Sequence, residues 1–166
     1  MFTNFKILGS LIILFCGAGA TLEVKKRFDK RVEVLEIFYL DFLYSVNKIS
    51  FLKMPVKEII SHLVSKSNGY IKKFYIKLNS FYSDELLDDE LKIDDPYLLK
   101  KDKEIILSFF KSIGSTHNLN EINNLNCQSE NLLLLIKEAK ENKEKNQKSK
   151  CTLTMCFFII AVIIFV

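Results

Sequence analysis

The chain has 166 residues, of which 49% are hydrophobic, with five glycines, two prolines and no tryptophan. So few turn-forming residues argue against a sheet and for helices, and the roughly 125 residues between two apolar ends suffice for one compact domain but not two. A formal net charge of +4 gives little support for nucleic-acid binding, and the basic residues crowd beside the apolar ends instead of forming a separate patch.

The first apolar run, Phe5 to Leu22, passes without a helix breaker into a heptad-spaced run ending at Ile49. No Gly or Pro lies between Gly19 and Pro55, so the sequence predicts one helix of about 68 Å from Phe5 to Ile49. Phe28, Val32, Leu35, Tyr39, Phe42, Val46 and Ile49 form its stripe, widened by Val34, Ile37, Phe38, Leu40, Leu43 and Tyr44. Such a density of large apolar residues predicts a central helix surrounded by others. Ala18-Gly19-Ala20 also reads as a signal-peptide cleavage site. Lys25, Lys26, Arg27, Lys30 and Arg31 follow closely and oppose translocation, which favours an uncleaved membrane helix over residues 1–23.

Pro55 suits the first position of a second helix, carried by Val56, Ile59, Ile60 and Leu63 and stopped near Asn68-Gly69. His62 within it reads as a surface or core-edge residue. A third helix over 70–82 places Ile71, Phe74, Tyr75, Leu78 and Phe81 on one face, read as core packing in preference to a ligand groove. The acidic run from Asp84 to Asp95 predicts one short helix around Leu86, Leu87 and Leu91 within a solvated connector closed by Pro96; it lacks the ligand spacing and glycine of a Ca²⁺ loop. A fifth helix covers Lys101 to Ile113, with Ile105, Ile106, Phe109, Phe110 and Ile113 inward and Gly114 at its end. Asn118 with Glu121 has capping-box spacing and opens a sixth, whose stripe is Ile122, Leu125, Ser129, Leu132, Ile136 and Ala139.

Beyond Lys140 that helix is held by the i,i+4 pairs Glu141 with Lys145 and Glu144 with Lys148. It then enters the apolar segment 151–166, preceded by Lys140, Lys143, Lys145, Lys148 and Lys150. Leu153 to Val166 spans only about 21 Å as a helix against a hydrocarbon core of about 30 Å, which calls for local thinning, for pairing with the first span, or for an interfacial hairpin. Lys and Arg beside a span mark its cytoplasmic side. The expected organisation is therefore an all-α cytosolic helical bundle of about six helices over 24–150, flanked by N- and C-terminal membrane helices.

The chemistry of known catalytic motifs is missing: there is no phosphate-cradling Gly loop, no H-E-x-x-H and no G-x-S-x-G. Cys16, Cys127, Cys151 and Cys156 show no CxxC spacing, and His62 and His117 are far apart, so no metal or cofactor is expected. The chain reads as a non-enzyme.

Lys6-Ile7-Leu8-Gly9, Arg31 with Leu35, and Met54-Pro55-Val56 resemble the stage III sporulation protein AB family of endospore-forming bacteria. The most specific stretch runs from Glu104 to Gly114 and is similar to the family's Glu-Ile-Leu-Leu-x-Phe-Gly-x-x-Leu-Gly, which makes Glu104, Leu107, Phe109, Ile113 and Gly114 its motif positions. Phe110 stands where the family usually has Gly, His117 where it has Asp and Glu121 where it has Gln; the usual central tryptophan is absent, and Lys148 to Thr154 departs from the family's pattern. The resemblance covers essentially the whole chain. It implies a component of the channel complex joining mother cell and forespore, with a helical domain similar to the platform protein of type II secretion systems and type IV pili that receives the complex's cytosolic ATPase. The acidic residues Asp84, Glu85, Asp88, Asp89 and Glu90 are then the candidate docking surface, since a charged connector steers encounter. The alternative is a membrane-anchored regulator or adaptor that binds lipid through its basic juxtamembrane helices. The sequence leaves open whether copies associate as a homo-oligomer.

Overall fold

The computed structural model describes residues 2–83, 90–113 and 119–165. These form five α-helices: α1 (Phe2–Leu52), α2 (Val56–Lys66), α3 (Gly69–Phe81), α4 (Lys100–Ile113) and α5 (Leu119–Phe165). No strand occurs among the described residues. The all-α class holds, with one α-helix fewer among the described residues than expected. Of the connector where that helix was placed, 84–89 lie outside the described residues and 90–99 contain no α-helix.

The chain divides into two compact units, one made of Met1–Val32 with Glu138–Val166 and the other of Glu33–Lys137. Helices α1 and α5 each contribute to both, and both are long and apolar enough to cross a membrane.

In the larger unit, the absence of Gly and Pro lets α1 continue to Leu52. There Lys53 takes a left-handed φ of 50° and the Met54 N–H reaches back to the Lys48 carbonyl at 3.2 Å, satisfying a last-turn acceptor as in Schellman-type helix ends. Pro55 lies just outside α2 as its extended N-cap (φ −60°, ψ 140°), and its carbonyl accepts the N–H groups of Glu58 and Ile59. Asn68 and Gly69 do not terminate α2, which ends at Lys66. Asn68 is instead the extended cap residue of α3, and Gly69 opens that helix with φ +59°, a conformation that costs glycine little.

The core is aromatic. Phe38 and Phe42 of α1 meet Phe74 and Tyr75 of α3 and Phe109 and Phe110 of α4, all buried. Phe42 and Phe109 stack at 3.5 Å with an angle of 6° between their planes. Phe38 and Phe42 both meet Phe110 edge-on, as do Phe74 and Tyr75. Edge-on arrangements suit ring quadrupoles and add about 0.5–1.5 kcal/mol per pair beyond area burial. Of the stripe expected on α5, Leu125, Ser129, Leu132, Ile136 and Ala139 are buried, while the Ile122 side chain lies outside the described residues.

One expectation for α1 is corrected. Leu40 and Leu43 are 59% and 36% exposed, so α1 is not enclosed on every side. Asp41 and Ser45, polar residues within the apolar run, are buried.

Candidate functional site

In the smaller unit the first turns of α1 and the last turns of α5 run antiparallel. Gly17 lies against Phe158, Thr21 against Cys151, and Lys25 and Asp29 against Gln147 and Lys143. At Gly17 a Cβ would stand 2.7 Å from the Phe158 Cβ, closer than carbon atoms approach, so glycine is what permits this helix spacing. Van der Waals packing through small residues is the main means by which helices associate in lipid. Leu11, Phe15, Leu22, Leu153, Phe157 and Ile163 point outward.

Above this apolar pair the contacts turn polar. Lys143 Nζ lies 2.7 Å from Asp29 Oδ1, and the hydrogen bond and charge of Lys143 hold the Asp29 carboxyl below its usual range. Gln147 donates to the Lys25 carbonyl at 3.3 Å. The Lys150 ammonium sits 5.3 Å over the Phe28 ring, a cation–π contact that also crosses between the helices. Of the juxtamembrane basic residues singled out from sequence, Lys26 pairs with Glu23 and Lys145 with Glu141, each at 3.9 Å. Lys30 and Arg31 have partners of their own. The expected Glu144–Lys148 pair does not form; Lys148, like Lys25 and Arg27, is exposed and takes part in no ion pair among the described residues.

The acidic connector is more structural than its charge suggested. Asp84, Glu85, Asp88 and Asp89 lie outside the described residues, and Glu90 is exposed. Beyond it Leu91, Ile93 and Leu98 are buried. Asp94 meets Lys77 of α3 at 2.6 Å, which lowers the Asp94 pKa through that hydrogen bond and the lysine charge. The Asp95 side chain accepts the Tyr97 N–H at 2.8 Å, an Asx turn that fixes the chain around Pro96. Thus the second half of a segment expected to be solvated is packed on the domain.

The motif positions are split by helical phase. On α4, Phe109 and Ile113 are buried while Leu107 is half-buried and Glu104 is exposed, with Lys100 3.9 Å away; Gly114 lies outside the described residues. Phe110, at the position where the family usually has Gly, fills the centre of the aromatic cluster, and its carbonyl accepts a hydrogen bond from the Tyr82 hydroxyl.

Sequence reasoning missed a buried carboxylate of the larger unit. Asp41 accepts a 2.6 Å hydrogen bond from the Tyr75 hydroxyl and lies 3.9 Å from Lys66 at the end of α2. Burial pushes the Asp41 carboxyl above its ordinary value, against the opposing effects of Tyr75 and Lys66. Tyr75 is raised well above its own and stays a donor. Neighbouring His62 stacks on Tyr44 at 4.9 Å. No group of three metal-ligating side chains occurs among the described residues.

The family model for stage III sporulation protein AB matches residues 6–166. The chain belongs to this family. The match includes both membrane-capable segments and the whole helical unit between them, so it is not confined to the α4 motif. No curated protein and no solved structure matches the chain. Membership makes this a stage III sporulation protein AB family member with two helices able to cross a membrane.

Proposed function

We propose that the chain is a non-enzymatic platform component of the channel complex between mother cell and forespore. In this reading 1–23 and 151–166 anchor the chain in the outer forespore membrane, and 24–150 faces the mother-cell cytosol and engages the complex's ATPase. What carries the reading is family membership over 6–166 together with a helical domain whose first and last helices both continue into membrane-capable segments. The basic flanks support the cytosolic side, since Lys and Arg are retained there during insertion. A core of interlocking aromatic rings suits a part that must hold its shape while a partner pulls on it.

For docking, the reading retains Asp84, Glu85, Asp88, Asp89 and Glu90. Asp94 and Asp95, occupied by Lys77 and the Tyr97 N–H, anchor the base of that segment and leave the earlier acids as the recognition charges. The experiment is affinity purification of the full chain from sporulating cells, with and without replacement of the five acids by their amides. Recovery of the ATPase with the parent, and a smaller salt dependence of its binding with the variant, are expected. Parent chain recovered with other channel proteins but without the ATPase would overturn the engagement. A Cys at position 90 in a cysteine-free background that reacts with an impermeant reagent in intact cells would overturn the topology.

A further inference from the structure

The first apolar run of α1 is closed by a charge at each end. Between Lys6 and Glu23 no residue is charged, and α1 is continuous through both positions, so the uncharged segment 7–22 stands about 24 Å tall at 1.5 Å per residue. An ordinary hydrocarbon core is about 30 Å thick. The segment turns its surface outward, with Leu11, Phe15 and Leu22 each more than half exposed.

Pairing with α5 does not add height, because the two helices turn polar at the same level. Cys151 faces the Thr21 carbonyl. The next level sets Gln147 on the Lys25 carbonyl, and the one after it sets Lys143 on Asp29. Helix α5 therefore enters the apolar layer, just after Lys150, where α1 leaves it, just before Glu23. With this shared rim, the pair cannot slide farther into hydrocarbon on that side without burying Glu23, Lys25 and Gln147 together. Tilting shortens the span further, and although lysine stems climb toward water, the carboxylate of Glu23 has little reach. What remains is for the bilayer to thin around the pair, at a cost that grows with the mismatch.

We propose that this helix pair is matched to a thin bilayer and selects phospholipids with short acyl chains as its immediate neighbours. The recognised feature is the height of the hydrocarbon layer, and headgroup charge plays no part in it. The inference rests on the membrane-spanning reading above and adds the lipid class that the spanning pair prefers.

The chain has no tryptophan, so Leu11→Trp supplies a single fluorescent reporter at an outward-facing position. The full chain carrying it is reconstituted at high lipid-to-protein ratio into mixtures of brominated dioleoyl-phosphatidylcholine with unlabelled phosphatidylcholines bearing myristoleoyl, palmitoleoyl, oleoyl or eicosenoyl chains. Quenching gives the relative affinity of each lipid for the protein surface. Affinity should be highest for the two shorter chains, with myristoleoyl at least about two-fold above oleoyl. Lys6→Leu with Glu23→Leu extends the uncharged apolar run to 5–24, about 30 Å, and should move the optimum to oleoyl chains. Lys6→Gln with Glu23→Gln removes the same charges without lengthening the apolar run, and should keep the parent's optimum. Equal affinity for every chain length, or a parent optimum at oleoyl or longer, would overturn the proposal. So would the same shift in both double variants, which would assign the preference to charge. A reporter that brominated lipid does not quench, on a chain that alkaline carbonate releases from the vesicles, is a different result and overturns the membrane-spanning reading itself.

Discussion

The helix pair of the smaller unit and the aromatic bundle of the larger one are held by opposite means. In the bundle, six large rings from three helices fill one volume, and burial of apolar surface dominates. In the pair, the most apolar stretches are almost wholly unburied; association depends on a missing side chain at Gly17, on backbone acceptors, and on polar contacts such as the Lys143–Asp29 ion pair and Lys150 over Phe28. The bundle is stabilised by what its side chains add, and the pair by what one residue leaves out. Substitutions that shrink residues should therefore damage the first, and substitutions that enlarge them the second.

The largest effect is expected at Phe42, wholly buried and stacked on Phe109. Phe42→Ala should cost about 3–5 kcal/mol in urea unfolding of the detergent-solubilised chain, followed by far-UV circular dichroism; a midpoint equal to the parent's would place this ring outside the core. On the same helix Leu40→Ala should change stability by less than about 0.5 kcal/mol, as suits an exposed site. The contrast between these two separates enclosure from mere apolar composition.

Enlarging Gly17 tests the other half. Gly17→Leu should cost on the order of 1–3 kcal/mol by overpacking, and should lengthen the distance between spin labels at positions 21 and 151. An unchanged distance would mean that Phe158 swings aside at no cost to the pair.

Asp41 sharpens the comparison from the polar side, because the bundle buries a carboxylate that the helix pair would keep near water. Asp41→Leu should cost about 1–3 kcal/mol by stranding the Tyr75 hydroxyl. Asp41→Asn keeps an acceptor for that hydroxyl and removes the buried charge. Since the folded-state pKa of Asp41 is raised, the parent's ionised carboxylate opposes folding at neutral pH. That penalty disappears as pH falls from above the raised value to the ordinary Asp value of about 4. The parent should thus gain a stabilising contribution across that interval, and Asp41→Asn should lack it; identical pH profiles for the two would contradict a buried, ionised Asp41.

The smaller polar effect belongs to Asp29, whose pair with Lys143 is part-exposed. Its lowered pKa means a contribution present above the ordinary Asp value and lost as pH falls through the lowered one. Asp29→Asn should cost no more than about 1 kcal/mol, read by thermal unfolding in low salt, with the difference narrowing in high salt. A salt-independent loss would point to packing in place of charge.

Much of this fold was legible because helical phase is written in the spacing. The α5 stripe from Leu125 to Ala139 is buried as its 3.5-residue repeat implies, and Phe74, Tyr75 and Leu78 of α3 likewise. What failed was composition used in place of phase: Leu40 and Leu43 counted toward a fully enclosed helix although they lie away from Leu35, Phe38 and Phe42. Asp41 was illegible because its partner Tyr75 lies 34 residues away, and nothing local marks a carboxylate as paired. In the connector a usable signal was overlooked, since Leu91-Lys92-Ile93-Asp94 alternates strictly and its two apolar members are the buried ones. The cations beside the apolar ends were evident in the sequence; which of them meet groups of the other helix, as Lys143 meets Asp29 and Lys150 meets Phe28, was not, because it depends on a register between helices. Gly17 was overlooked beside the apparent cleavage site. Gly19, within that site, has nothing within 4 Å of a built Cβ.

The antiparallel pair also sets the order in which the protein can be completed. Thr21 and Cys151, which meet through a backbone carbonyl, are 130 residues apart, so a ribosome has made the whole helical domain before the second member of the pair exists. In the membrane-spanning reading proposed above, the domain can fold as a unit during synthesis while α1 waits with its Gly17 notch unfilled. Closure of that notch by Phe158 reports that translation has passed the domain.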